Sequence, residues 1–221
     1  MECFAGNRGG NIAPSRIMKQ TESYKILEGL GQSLLTTKDA AAALRITPSR
    51  ANKVLSRLAE DRLVTHLCRG HWLIGRSVNP LTLPEHLAAP FPAYVSLQTA
   101  LFHHGMISQI PEVFYAVTLA KPRRIRTPLG VVSLHRIEPD FFFGFEPAAA
   151  EGMLMATPEK ALLDVFYLSP ARSRLFTTLP ELELPKSFSW KKARDMVRQI
   201  PFPQRRTLVE KRLAVLFSEK G

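Results

Sequence analysis

The stretch from Thr36 to Ile74 constrains this chain most, because helix-start and hairpin signals follow one another there at spacings that allow few arrangements. Thr36 or Thr37 stands where it caps a helix through Ala40 to Leu44, whose small residues let another helix pack close. Arg45-Ile46 follows as a turn. Thr47 and Pro48 then supply the N-cap and first-turn residue of a further helix that should run to about Asp61. Upstream, Tyr24, Leu27 and Leu30, widened by Ile26, mark an earlier helix that Gly29 and Gly31 bring to an end.

On a wheel of about 100° per residue, Ala51, Val54, Leu55 and Leu58 share one face of the third helix. Ser49, Arg50, Lys53, Ser56 and Arg57 occupy the opposing arc, so every basic residue of this helix lies outside. Taken alone, such a wheel describes the solvated side of an amphipathic helix. Its neighbours argue for more. Arg62 to Leu67 reads as a strand, Cys68-Arg69-Gly70 as a turn and His71 to Ile74 as a returning strand, with Trp72 inward and His71 on the strand surface. Two helices joined by a tight turn and followed by a hairpin form the pattern of a winged helix-turn-helix, whose second helix enters the major groove. This reading assigns base contacts to Ser49, Arg50 and Lys53, with Asn52 at the margin, and phosphate contacts to Thr37, Lys38, Arg57 and Arg69.

Charge supports a polyanionic partner. The chain carries a formal +11, arranged as +6 over residues 15–80, −2 over 81–171 and +7 over 172–221. Asn79-Pro80, Pro84, Pro90 and Pro92 interrupt both helical and strand periodicity where the balance first changes. The expected organisation is therefore a disordered leader over 1–17, with Met18 as an alternative start, a winged helix-turn-helix over 18–78, a linker over 79–92 and a mixed domain over 93–221. Cys3 and Cys68 are far apart and follow no secretory segment, and no apolar run approaches the roughly 20 residues of a membrane span, so a reducing cytoplasm is expected.

From Tyr94 the pattern mixes helix and strand. Ser96 opens a short helix that closes at His103, His104 and Gly105. Phe114 to Leu119 reads as a strand, Arg123-Arg124-Ile125-Arg126 as a basic strand, and Val131 to Ile137 as its return after Thr127-Pro128-Leu129-Gly130. Met153 to Ala156 gives another strand, and Thr157-Pro158-Glu159-Lys160 caps a helix through Phe166. The fold class expected is α+β.

Tyr94-Val95-Ser96-Leu97-Gln98-Thr99-Ala100-Leu101 with Gly105, then Thr127-Pro128-Leu129-Gly130, then Ala156-Thr157-Pro158-Glu159-Lys160-Ala161-Leu162-Leu163-Asp164, in this order behind a winged helix, resembles the AbiEi family. The resemblance spans most of the chain after Met18, but neither the leader nor the proline-dense segment near Pro180 and Pro185. It implies an antitoxin and autorepressor of a type IV toxin-antitoxin pair tied to abortive phage infection. Its N-terminal domain would bind double-stranded DNA repeats at its own promoter. Its C-terminal domain would counteract a nucleotidyltransferase-like toxin, AbiEii, without needing to hold it.

Other chemistry finds little support in the sequence. His103 and His104 are adjacent, point about 100° apart on a helix and do not form an i, i+4 metal pair. Glu159, Lys160 and Asp164 contain the residue types of a divalent-metal nuclease but not its spacing, and a surface ion pair accounts for Lys160 and Asp164. Neither enzymatic activity nor a cofactor or metal is expected, although a basic nuclease and a winged-helix regulator of other genes stay open. Near the C-terminus, Trp190 to Arg198, Arg205-Arg206 and Lys211-Arg212 fall on two helices separated by Pro201 and Pro203. They form either a solvated basic surface or a second nucleic-acid contact through Lys191, Lys192, Arg205 and Arg206.

Overall fold

The computed structural model describes residues 19–75, 77–148, 153–169 and 181–220, without the side chains of 219 and 220. The expected leader, Cys3, Met18 and Pro180 lie outside them. Among the described residues the protein is a mixed α+β fold of eight α-helices and two sheets.

The first part of the chain follows the order α1 (Gln20–Glu28), β1 (Leu34–Thr36), α2 (Thr37–Leu44), α3 (Pro48–Glu60), β2 (Val64–Cys68), β3 (His71–Ile74). In α1 the apolar face is narrower than its sequence suggests, since Leu27 is buried while Ile26 and Leu30 remain exposed. Thr36 is the α2 cap. Its hydroxyl accepts from the Asp39 amide at 3.2 Å and the Asp39 carboxylate accepts from the Thr36 amide at 2.8 Å, a reciprocal capping box. Helix α2 ends at Arg45, left-handed at φ 53°, and the Ile46 amide donates to Ala41 O at 3.0 Å, so the chain turns tightly into α3. Thr47 caps α3 through the Arg50 amide, and Ala51, Leu55 and Leu58 are buried at helical spacing. Strands β1, β3 and β2 form an antiparallel sheet in that order, with a bulge in β2 between His66 and Cys68. The strand starts later than expected because Arg62 turns left-handed at φ 57°, and Cys68 belongs to it.

The segment expected as a linker is instead packed structure. A short 3-10 turn over Pro80–Thr82 leads into α4 (Leu83–Ala88), with Leu83, Leu87 and Ala88 buried. Its prolines start these turns, where a missing N–H costs nothing, and so do not break them. Helix α4 lies between the first sheet and a second, six-stranded one, and shares a core with Leu67, Leu73, Ala116, Val132 and Leu134.

That second sheet is mixed. Its strands are β4 (Ala93–Val95), β5 (Val113–Thr118), β6 (Arg123–Thr127), β7 (Gly130–Arg136), β8 (Phe145–Pro147) and β9 (Leu154–Ala156), in the spatial order β6-β7-β5-β4-β9-β8. Strands β5 and β7 run parallel, as do β4 and β9, and the other pairs are antiparallel. The main core joins this sheet to α5 (Leu97–His103), α6 (Pro158–Leu168), α7 (Trp190–Arg198) and α8 (Pro203–Lys220). The chain enters α5 at its first residue, Leu97, fully buried yet left-handed at φ 56°, a conformation that costs a non-glycine residue about 1–3 kcal/mol.

Candidate nucleic-acid interface

Helix α3 separates its two sides cleanly. Ala51, Leu55 and Leu58 fix it to α1, α2 and the first sheet, while Ser49, Arg50, Asn52, Lys53 and Arg57 are exposed. Arg50, Lys53 and Arg57 have long stems, and none of the ion pairs among the described residues engages them. Lys38, at the start of α2, is exposed as well. Arg69 is exposed in the two-residue turn between β2 and β3, where Gly70 takes φ 78°. An open glycine with no heavy atom near its Cβ position leaves this tip unobstructed.

Thr37 has a different role from its neighbours. It is half-buried, and its hydroxyl accepts from the buried Trp72 indole N–H at 2.9 Å. The bond ties the start of α2 to the middle of β3, and with Gly70 O accepting from the Thr37 amide at 2.9 Å it holds the hairpin against the helix pair. His71 is not a plain strand-surface residue. Its ring stands edge-on to His86 of α4 at 5.0 Å, and burial lowers the pKa of both, that of His86 to about 4.

The C-terminal basic residues divide in the same way. Lys191 is exposed, and Lys192 lies 3.4 Å from the buried Glu159 carboxylate. Burial pushes the Glu159 carboxyl up, but the Ser189 amide donating to it at 2.8 Å and the other partners outweigh this and hold it below the usual range. Glu159 thereby fixes the first turn of α7. Arg205 donates to Tyr167 O, and Arg206 donates twice to Ile200 O, at 3.0 and 2.7 Å. Both are half-buried and clamp α8 to the preceding segments. Arg123 of β6 is used similarly, donating to Leu87 O at 2.7 Å, whereas Arg124 and Arg126 of that strand are exposed and β6 lies beside β2.

The pair read as a surface ion bridge is fully buried. Lys160 Nζ donates to Asp164 Oδ1 at 2.7 Å and to Phe141 O at 2.8 Å, and it sits 3.3 Å over the Phe141 ring. Asp164 Oδ2 accepts from Tyr94 Oη at 2.9 Å and Ser96 Oγ at 2.7 Å. Both charges are fully buried because α6 is covered on all sides, by the sheet, α5, α7 and α8. Burial raises the Asp164 carboxyl and lowers the Lys160 ammonium, while each attracts the other's charged form. Neither group touches solvent, so in this arrangement neither meets a substrate or metal. The sequence separates Tyr94-Ser96 from Lys160-Asp164, and only their shared burial brings them together.

His104 donates through Nε2 to Ala156 O at 2.7 Å and His103 is exposed, and among the described residues no cluster of His, Cys, Asp and Glu suits a metal ion. No described helix is long and apolar enough to cross a membrane. No protein-family model matches the chain, and no curated protein does.

Proposed function

We propose that the chain reads duplex DNA through an N-terminal winged helix-turn-helix and represses transcription by occupying its site. The observation that carries this is the exposed row Ser49, Arg50, Asn52, Lys53 and Arg57 on a capped helix whose other side is anchored in a core. A rigid helix presenting its polar N-terminal half, with a cationic hairpin tip at Arg69 beside it, suits a major groove flanked by phosphates. The preorganised frame matters because a backbone that is already fixed leaves only the side chains to be ordered on binding.

We further propose that the protein serves as the antitoxin of an AbiEi-like pair, acting without an enzymatic step or cofactor. What supports this is the resemblance itself, together with the meeting of its separated segments, Tyr94-Ser96 and Lys160-Asp164, at one buried cluster. The nucleotidyltransferase-like toxin need not bind directly.

Fluorescence anisotropy with the duplex upstream of the gene, against a shuffled duplex and across a salt series, tests the first proposal. Binding to the native duplex that survives near physiological salt while the shuffled control fails is expected. Equal and equally salt-sensitive binding to both would reduce the interface to generic charge. Co-expression with a nucleotidyltransferase-like protein from an adjacent reading frame tests the second, since growth must be restored by this chain.

A further inference from the structure

Helices α7 and α8 leave between them a cavity of about 330 Å³ that opens to solvent. Val197 and Leu213 form its apolar floor. Trp190 and Phe217 form one end, edge to face with ring centroids 5.0 Å apart, and Phe217 is 46% exposed. The Arg194 guanidinium stands 5.5 Å over the Phe217 ring, held by its Nε donating to Trp190 O at 3.3 Å. Among the described residues no carboxylate pairs with Arg194 or with the exposed Lys191. Glu210 is the single acid on the lining, and Arg198 at the far end is matched by Asp195 at 3.0 Å.

From Lys186 to Arg212 the sequence holds nine basic residues and two acidic ones, Asp195 and Glu210. Arg205 and Arg206 are clamped on carbonyls, and Lys192 and Arg198 are paired with Glu159 and Asp195, which leaves Arg194 and Lys191 as the cations of α7 open to a ligand beside the aromatic end. An apolar slot of small-ligand size, closed by two aromatic rings with a guanidinium laid over one of them, combines a stacking surface with a phosphate partner. An apolar protein helix would fill the floor but leave the arginine unmatched, and a duplex keeps its bases stacked away from such a slot.

We infer that the α7–α8 groove binds single-stranded nucleic acid, with an unpaired base against Trp190 and Phe217 and its phosphates at Arg194 and Lys191. This site is separate from the α3 surface and does not rest on the duplex reading.

The test uses the full chain and a twelve-nucleotide single-stranded oligoadenylate RNA, with anisotropy and tryptophan fluorescence read together. The chain has two tryptophans, and Trp72 is buried, so quenching on binding should come from Trp190. Trp190→Phe should retain binding and lose the quench. Arg194→Ala and Phe217→Ala, both on outer helix positions, should weaken RNA binding about five-fold or more while leaving duplex DNA binding unchanged. Absence of RNA binding, equal losses on RNA and duplex, or unaltered RNA affinity in both variants would overturn the assignment. Displacement of bound RNA by an acidic helical peptide, with no tryptophan quench by RNA alone, would overturn it in favour of a protein partner.

Discussion

Lys160 Nζ lies 2.7 Å from Asp164 Oδ1, one turn along the same helix, and neither side chain reaches solvent. Lys160 Nζ also meets Phe141 O and the Phe141 ring, and Asp164 Oδ2 accepts from the Tyr94 and Ser96 hydroxyls. A buried pair of this kind contributes little net stability against an apolar replacement, because desolvation offsets the attraction. Removing one partner is different. Lys160→Met should destabilise by about 3–5 kcal/mol, since Asp164 then keeps a charge or takes up a proton without compensation. The double replacement Lys160→Met/Asp164→Leu should lose less than the sum of the single ones. Urea denaturation of the four proteins measures the coupling, and additive losses would show that the ion pair is not what joins these groups.

Thr37 and Trp72 offer a test of how the hairpin is held. Thr37→Val preserves shape and removes the acceptor of a buried indole N–H, which should cost about 1–3 kcal/mol in chemical denaturation. Thr37→Ser keeps the hydroxyl and should cost less. If Thr37→Val left stability unchanged and weakened DNA binding alone, the hydroxyl would be a phosphate contact as the sequence suggested.

Arg205 and Arg206 serve the fold. Arg206→Ala removes two hydrogen bonds to Ile200 O from a half-buried guanidinium and should lower stability by about 1–3 kcal/mol. The salt dependence of duplex binding should not change, because the slope counts phosphates neutralised. A slope reduced by about one in Arg206→Ala would place this arginine on DNA.

What was legible in the sequence follows the range of the interactions concerned. Capping at Thr36 and Thr47, the amphipathic stripe of α3 and the Arg69-Gly70 turn depend on residues within a few positions of each other, and they formed where expected. The order β6-β7-β5-β4-β9-β8 depends on pairings between distant segments, and the three-residue strand β8 has no periodicity to read. Helix α4 was hidden by its prolines. Lys160 and Asp164 carry the spacing of an exposed helix pair, and the only contrary signal was the unbroken apolar company of Ala161, Leu162, Leu163, Val165 and Phe166. A helix apolar around its whole circumference is a buried one, and its charges are buried with it.

Stability should fall on acidification through two histidines. Burial lowers His86 to about 4, with His71 adding to the effect, and burial lowers His135 to about 4. In each case the fold favours the neutral ring, so the contribution is present above the ordinary value of 6.5 and is lost as pH falls from there through 4. The urea midpoint should therefore decline across this window. His86→Phe/His135→Phe should decline less steeply, and an identical pH profile would mean that these two rings do not govern the acid transition.

The proposed duplex reading gives the exposed residues of α3 two different roles, base contact and backbone contact. Arg50 and Lys53 stand on the N-terminal half of α3; in the proposed docking that half enters the major groove deepest, and Lys38, Arg57 and Arg69 lie toward the flanking backbone. All five are exposed, so their alanine variants should keep wild-type stability within about 0.5 kcal/mol. Arg50→Ala and Lys53→Ala should then each cost about 1–3 kcal/mol on the native upstream duplex and much less on a shuffled one, because a lost base contact matters only where the matching base is present. Lys38→Ala and Arg57→Ala should weaken both duplexes alike and reduce the salt slope by about one. Anisotropy titrations of both duplexes at several salt concentrations distinguish the two groups. Should Arg50→Ala and Lys53→Ala behave like Lys38→Ala, the outer face of α3 would be an electrostatic surface, and sequence reading would have to come from the hairpin or from DNA shape.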